Sequence, residues 1–125
     1  MKSSELKKES TKAKKEFAEL SLKLHLRSSD LIKSLDLKWI HRHKFMVDRK
    51  FEFDFAFPTI KLAIEVQGGI WIVGGHTKGV GIKQDHDKNQ NACALGWQML
   101  YCCPDDIKKG IAISFIEKTI EYAYK

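Results

Sequence analysis

The chain has 125 residues, of which 30% are charged and 43% hydrophobic, which is typical of a globular domain and excludes a low-complexity or collagen-like chain. Twenty-two lysine and arginine residues against 16 acidic ones give a net charge of +6, which favours a polyanionic partner. We expect one domain over residues 1–125, with residues 1–12 forming a frayed, basic N-terminal helical segment.

Cysteine usage and the N-terminal sequence indicate the cellular compartment. The three cysteines are an odd number without regular spacing, which is typical of a reducing environment and argues against a disulfide-stapled secreted domain. The charged N-terminus lacks the apolar core of a signal peptide, and no apolar run approaches the roughly 20 residues that span a bilayer. We therefore expect a cytoplasmic protein that is not bound to a membrane.

The first third of the chain predicts helices followed by a basic strand. Residues 5–26 lack glycine and proline, are rich in helix formers, and carry an apolar stripe that we expect to face the core. This stripe consists of Ala13, Phe17, Leu20 and Leu24. Glu16 lies on its flank, where it either approaches a site at the rim of the core or forms a surface ion pair. Residues 27–37 predict a loop or a short helix. Residues 38–45 predict a strand with one solvent-exposed, cationic face.

Two neighbouring predicted strands each carry a carboxylate in an otherwise apolar run. Over residues 51–57, alternation places the four phenylalanines on one face and Asp54 on the other. Residues 62–66 are almost continuously apolar apart from Glu65, as expected of a central strand buried on both faces. A buried carboxylate is costly unless it is paired or bound to a cation. We therefore expect the two acids to meet around a divalent metal, or else to be paired as structural acids, for example with Arg49 or Lys61.

The rest of the chain completes an α/β pattern. Residues 68–81 contain six glycines, which let a loop approach a ligand closely, although the spacing of a P-loop is absent. A helix is predicted over residues 84–95, a strand over 97–103, and a last helix from Pro104. The order α-β-β-β-α-β-α predicts an α/β fold with a mixed central sheet of about four strands flanked by helices.

Paired carboxylates on adjacent strands suit a magnesium site. Mg²⁺ prefers hard oxygen ligands, holds phosphate and activates water, which is how metal-dependent nucleases cut a phosphodiester. The candidate ligands are Asp54, Glu65 and the backbone carbonyl of Val66, with Mn²⁺ as a substitute metal. The pattern alone leaves a metal site and an ordinary pair of structural acids equally open.

Three further side chains are candidates for the chemistry. Gln67 lies two residues after Glu65 and projects from the same face, where its amide can contact water or phosphate. Lys88 can supply a positive charge from the following helix, and His76 in the glycine-rich loop can contact phosphate or transfer a proton. Each also has an ordinary structural or solvent-exposed interpretation. The general base stays open among His76, Lys88 and a metal-bound hydroxide.

Three segments together resemble the PD-(D/E)XK nuclease superfamily, in particular small phage and bacterial members related to very-short-patch-repair endonucleases and Holliday junction resolvases. These segments are Phe53–Pro58, Lys61–Gly69 and Gly96–Trp97. The resemblance implies a restriction-endonuclease-like fold and Mg²⁺-dependent DNA cleavage, with Asp54 and Glu65 as the metal-binding acids and Glu16 as an acid that some members place on the first helix. The superfamily motif has lysine at the position of Gln67, and Lys88 is a plausible substitute.

These patterns predict a metal-dependent DNA endonuclease that acts as a homodimer on branched DNA, such as a Holliday junction, in recombination or repair in a bacterial or phage-infected cell. The alternatives are a sequence- or mismatch-specific nicking or restriction-type endonuclease that acts on duplex DNA, and a DNA-binding protein of the same fold with weakened catalysis. Position 84 is a further candidate DNA contact, although Gln84 is uncharged and the positive charge beside it belongs to Lys83. The basic candidates are Lys12, Lys15, Arg42, Lys44, Arg49 and Lys78.

Overall fold

The computed structural model describes residues 3–67 and 79–125. The helices are α1 (Ser3–Ser28), α2 (Asp30–Ser34), α3 (Gly79–Ala94), α4 (Pro104–Lys108) and α5 (Ile111–Ala123). The strands are β1 (Ile40–Lys44), β2 (Glu52–Phe57), β3 (Leu62–Val66) and β4 (Gln98–Cys102). In this part of the chain, no helix is both long enough and apolar enough to cross a membrane.

The four strands form one mixed sheet in the order β1-β2-β3-β4. The pairs β1–β2 and β2–β3 are antiparallel, whereas β3 and β4 are parallel because α3 connects them. All five residues of β3 are buried, as expected of a central strand. The predicted α/β class, with a mixed sheet of about four strands flanked by helices, is confirmed.

The last predicted helix is in fact two helices. The first of them, α4, begins at Pro104 and ends at Lys108, and the second, α5, begins at Ile111. Gly110 between them has a φ of +77°, a left-handed conformation that glycine adopts without steric cost and that ends a right-handed helix. The short second helix is present as α2, where the Ser29 side chain accepts a hydrogen bond from the Ile32 amide.

The prediction that the apolar stripe of α1 through Phe17, Leu20 and Leu24 faces the core was wrong. Phe17, Leu20 and Leu24 are exposed by 69%, 59% and 60%. The buried apolar residues of α1 lie on its opposite side, at i, i+4 and i+8, and pack with residues of β2, β3, α4 and α5. They are Ala18, Leu22 and Leu26. The helix carries two apolar stripes of similar length, and only tertiary packing decides which one faces the sheet.

The alternation predicted for β2 also fails at one point. Phe55 and Phe57 belong to the main core with α1, α4 and α5, whereas Phe53 packs in a second cluster with Ala92 of α3. The two-residue period is therefore interrupted around Asp54. On β1, the residue at the same level is Arg42, whose φ of +58° is likewise irregular. Asp54 thus lies at a point where the regular alternation of side chains between the two faces of the sheet is interrupted on β1 and β2.

The two stripes of α1 lead to a stability prediction. Leu22→Ala should lower the free energy of unfolding by about 3 kcal/mol, because Leu22 is fully buried and its removal leaves a cavity. Leu95→Ala, at a leucine that is 43% exposed, is a matched control expected to cost less than about 1 kcal/mol. Urea unfolding monitored by circular dichroism measures both. Equal losses would contradict the assignment of the buried face.

Candidate functional site

Two buried carboxylates lie side by side at the centre of the sheet. The antiparallel register pairs Phe55 of β2 with Ile64 of β3, so Asp54 and Glu65 occupy the next opposing positions. Asp54 Oδ2 accepts a hydrogen bond from the Val66 amide at 2.8 Å, so at this position a side chain and not a backbone carbonyl of β2 pairs with β3. Both acids are only 7% exposed. The structure therefore brings together the two acids that the strand pattern predicted to meet.

Each of these acids contacts one lysine, and the two lysines come from different helices. Lys15 of α1 places its Nζ 3.4 Å from Asp54 Oδ2. Lys88 of α3 donates a hydrogen bond to Glu65 Oε1, and its Nζ lies 5.7 Å from the centre of the Phe53 ring. Lys88 thus reaches the site from the helix that was predicted to supply it, whereas Lys15 had been considered only as a DNA contact.

The partners suggested for purely structural acids are engaged elsewhere. Arg49 Nη2 lies 2.5 Å from Asp87 Oδ2, and Lys61 Nζ donates to the Leu95 carbonyl at 2.7 Å. The acidic pair is therefore balanced by two lysines and not by these two residues. Since both lysines have long flexible side chains, either can turn toward an incoming phosphate without unfolding the strands.

The helical turn that carries Lys88 is fixed by its neighbours. Asp87 accepts from Arg49 and, at 3.0 Å, from the Asn91 amide, which also donates to the Asp87 carbonyl at 2.8 Å. The Arg49 guanidinium in turn lies 4.3 Å from the centre of the Phe51 ring. These contacts tie α3 to the segment just before β2, so Lys88 is held close to the sheet.

The electrostatics of the pair favour a bound cation. The pKa of Glu65 is raised to about 7, most strongly by burial, and also by the charge of Asp54 and a hydrogen bond with it. Lys88 lowers this pKa but is outweighed. Near neutral pH the two carboxylates thus carry more negative charge than the buried site stabilises, and a divalent cation between them would relieve it.

The oxygen donors of the two acids meet the requirements of a magnesium ion. Among the described residues, no group of three or more His, Cys, Asp or Glu side chains could hold a metal. Asp54 and Glu65 supply two carboxylates, and Mg²⁺ characteristically uses one or two carboxylates with water and substrate phosphates completing its shell. Such a donor set fits Mg²⁺ or Mn²⁺, with the Val66 carbonyl as the further predicted ligand.

Several predicted residues lie at the margin of the site or outside the described part. Gln67 follows β3 directly, is half-buried, and donates its backbone amide to the Cys102 carbonyl at 2.8 Å, which holds the end of β3 against β4. His76 and Lys78 lie outside the described residues. Position 84 belongs to α3, but the side chain of Gln84 is likewise not described.

The basic residues predicted to contact DNA are arranged unevenly. Lys12 of α1 and Lys44 of β1 are exposed. Arg42 is 54% exposed and has acidic neighbours, with Nη1 at 3.4 Å from Glu52 Oε1 and Nη2 at 3.9 Å from Glu19 Oε2. Among the side chains that the structure describes, no acid pairs with Lys12 or Lys44, whereas Arg42 is partly neutralised.

The buried acid of α1 is Glu19, which the sequence reasoning missed. Glu16 is exposed, whereas Glu19 is 4% exposed and its Oε1 lies 3.1 Å from His41 Nε2 of β1. Glu19 is one helical turn after Lys15, so both face the sheet. The signal that could have found it is the buried stripe starting at Ala18, because the neighbouring position shares that face.

Comparison with known proteins relates this geometry to one solved structure. The chain is similar to the homing endonuclease I-Bth0305I catalytic domain, with a TM-score of 0.50 over 86% of this chain and 92% of that domain. The chain has the fold of an endonuclease catalytic domain. The two sequences are 21% identical, so the likeness concerns the fold. No protein-family model and no curated protein matches the chain.

The raised pKa of Glu65 predicts how stability depends on pH in the metal-free protein. The folded state holds this proton up to about pH 7, whereas the unfolded chain releases it near the ordinary value of 4.5. Stabilisation from the protonated carboxyl is therefore complete below pH 4.5 and lost as pH rises through 7, a change of at most about 3 kcal/mol. Thermal unfolding between pH 5 and pH 8 should show it.

The matched variant for this measurement is Glu65→Gln, which removes the titrating group and should flatten that part of the profile. Added Mg²⁺ should raise the melting temperature of the parent protein more at pH 8 than at pH 5, since the metal binds the deprotonated pair. An identical pH profile for the parent protein and the Gln variant would contradict the assigned cause.

Proposed function

We propose that this chain is a Mg²⁺-dependent DNA endonuclease of the PD-(D/E)XK superfamily that hydrolyses phosphodiester bonds. The observation that carries the proposal is the buried pair Asp54 and Glu65, opposed on adjacent strands with a lysine on each. The similarity to an endonuclease catalytic domain supports it, because the pair lies in a fold known to cut DNA in that neighbour. The net charge of +6 supports a polyanionic substrate.

The metal would be held by the carboxylates of Asp54 and Glu65, with the Val66 carbonyl beside them. When bound, Mg²⁺ supplies charge to the scissile phosphate and lowers the pKa of water. The hydrogen bond from the Val66 amide orients Asp54 Oδ2, so the carboxylate meets a ligand in a fixed position. This preorganisation accounts for placing costly buried charges in the middle of a sheet.

Lys88 would stabilise the charge that develops on the phosphate. The Lys88 ammonium, which is paired with Glu65, would donate to a phosphate oxygen when Glu65 is engaged by a cation. This is the role that lysine has in the superfamily motif at the position of Gln67. Gln67 would then contact water or phosphate through its amide, and His76 remains a proposed group for proton transfer.

Lys15 would have a different role, because it contacts Asp54 and comes from the other side of the sheet. Its Nζ lies 3.4 Å from Asp54 Oδ2 with the side chain 38% exposed, so it is accessible from the surface. We propose that Lys15, together with the exposed Lys12 and Lys44, contacts the DNA backbone near the site. Arg49, held by Asp87, would instead position α3.

The proposed substrate is branched DNA, such as a Holliday junction, cut by a homodimer. The chain is small, and its basic residues favour backbone contacts, which read shape more than sequence. The alternative enzyme is a sequence- or mismatch-specific endonuclease acting on duplex DNA. The alternative without catalysis is a DNA-binding protein of the same fold, in which Gln67 marks the lost activity.

A matched panel of linear, nicked, flap and four-way DNA with Mg²⁺ separates these proposals. We expect the four-way junction to be cut at least about tenfold faster than the linear duplex, with paired nicks at symmetric positions. Cleavage of a linear duplex at one sequence, with junctions intact, would replace the junction proposal by the sequence-specific one. Tight binding without cleavage in Mg²⁺ or Mn²⁺ would favour the DNA-binding protein.

A further inference from the structure

The outer face of α1 carries an apolar seam with the spacing of a coiled coil. Ala13, Phe17, Leu20 and Leu24 follow one another at steps of four, three and four residues, which are the a and d positions of a heptad. All four are exposed, the three larger ones by 59% to 69%. Contiguous exposed apolar side chains of this size mark an interaction surface more often than an ordinary wet face.

This seam differs from the other exposed aromatic residues of the fold. Phe115 and Tyr122 of α5 are 56% and 77% exposed, but the charged Lys118 lies between them on the same face and interrupts the apolar stripe. Lys118 Nζ lies 5.0 Å from the centre of the Phe115 ring, and Lys125 Nζ lies 5.8 Å from the Tyr122 ring. The seam of α1 therefore remains the better candidate for a docking surface.

Charges on one flank of the seam indicate the partner. Glu16 and Lys23 are seven residues apart, one heptad, so they occupy the same flanking position in successive repeats. In an antiparallel pair of identical helices, this flank of one helix lies beside the same flank of the other, and the two chains run in opposite directions. Glu16 of one copy then faces Lys23 of the other, twice across the two-fold axis. A parallel pair would instead bring together the two lysine-rich N-terminal halves.

We propose that the outer face of α1 is a homodimer interface, in which a second copy of this chain packs antiparallel. Phe17 of each copy would lie against Leu20 of the other, and Leu24 against Ala13, so each layer joins a larger side chain with a smaller one. The opposite face of α1 stays buried in its own domain through Leu22.

The interface does not depend on the proposed chemistry. A homodimer would supply the two active sites that a four-way junction needs, but the oligomeric state is measured without DNA or metal. A monomeric protein would therefore refute the interface and leave the proposal for Asp54 and Glu65 unaffected. Conversely, an inactive dimer would refute the nuclease and leave the interface in place.

Sedimentation equilibrium of the full chain tests the proposal. The measured molecular mass of the parent protein should be twice the 14.4 kDa mass of the chain at a protein concentration of about 50 μM. Leu20→Glu, which puts a charge in the middle of the seam, should weaken dimerisation at least about 100-fold. Phe115→Glu is the matched control at an exposed aromatic residue and should leave the mass unchanged. Circular dichroism checks that each variant is folded.

A charge swap tests the antiparallel arrangement. Glu16→Lys and Lys23→Glu should each weaken dimerisation about tenfold, because each creates two repulsive contacts across the axis. The double variant restores both pairs and should recover most of the affinity. A monomeric parent protein, or dissociation by Phe115→Glu and not by Leu20→Glu, would overturn the interface. Failure of the double variant to recover would overturn the antiparallel arrangement. A parent protein that is itself monomeric and loses DNA affinity on Leu20→Glu would assign the seam to DNA instead.

Discussion

Asp54→Asn is expected to reduce Mg²⁺-dependent cleavage at least about 1000-fold while the protein stays folded. Asparagine has nearly the same shape as aspartate, and its side-chain oxygen can still accept the hydrogen bond from the Val66 amide. What it loses is the negative charge that a divalent cation requires. Removing that charge also relieves repulsion with Glu65, so the metal-free variant should be at least as stable as the parent protein.

Nicking of supercoiled plasmid in single-turnover conditions measures this effect. Asp36→Asn is the control, since Asp36 is an exposed acid in a left-handed conformation that asparagine also adopts readily. The control should cleave at the parent rate. Mg²⁺ should raise the melting temperature of the parent and the control but not of Asp54→Asn. Cleavage by Asp54→Asn within about tenfold of the parent rate would remove Asp54 from the chemistry.

Lys88→Met should lower the cleavage rate at least about 100-fold with little change in DNA affinity. Methionine has an unbranched apolar side chain close in length to the lysine stem, so it fills similar space while the ammonium beside Glu65 and Phe53 is lost. Lys108→Met, at an exposed lysine of α4, is the matched control. The comparison separates a group that acts on the phosphate from one that contributes only positive surface charge.

A rescue experiment asks whether Lys88 performs the work that the superfamily assigns to a lysine at position 67. Gln67→Lys added to Lys88→Met should recover at least about tenfold of the lost rate, because the new ammonium projects from the strand end next to Glu65. Lys88→Met with full activity would show that the lysine serves only to neutralise Glu65. Absence of rescue would leave the role of Lys88 standing but would separate it from position 67.

The hairpin of β2 and β3 was predictable because local sequence determines it. The bounds of β3 agree with the prediction, and Pro58 limits β2 at its end. A short connection between antiparallel strands fixes their register, which in turn places Asp54 opposite Glu65. The interruption of the pleat at Asp54 was not predictable, since the sequence alternates regularly through it. It shows in the packing, where Phe53 and Phe55 lie in different hydrophobic clusters.

The face that α1 buries was not predictable, because its two apolar stripes compete. Packing against the sheet selects the stripe of Leu22, and this choice also brings Lys15 and Glu19 inward. The lysine that contacts Asp54 was therefore not predicted, whereas Lys88 was predicted to supply a positive charge to the site. A helix with an apolar stripe on each of two opposite faces has no intrinsic preference for burying one of them, so its contacts with distant segments determine which face is buried.

Crystals of the protein grown with Mn²⁺ and a DNA junction test the central claim directly, because Mn²⁺ scatters anomalously and replaces Mg²⁺ at oxygen sites. We expect an anomalous peak between the carboxylates of Asp54 and Glu65, at about 2.0–2.5 Å from an oxygen of each, with a DNA phosphate oxygen in the same shell. The same soak of Asp54→Asn should lose the peak. A metal bound elsewhere, with Lys15 and Lys88 still paired to the two acids, would contradict a nuclease site at this pair.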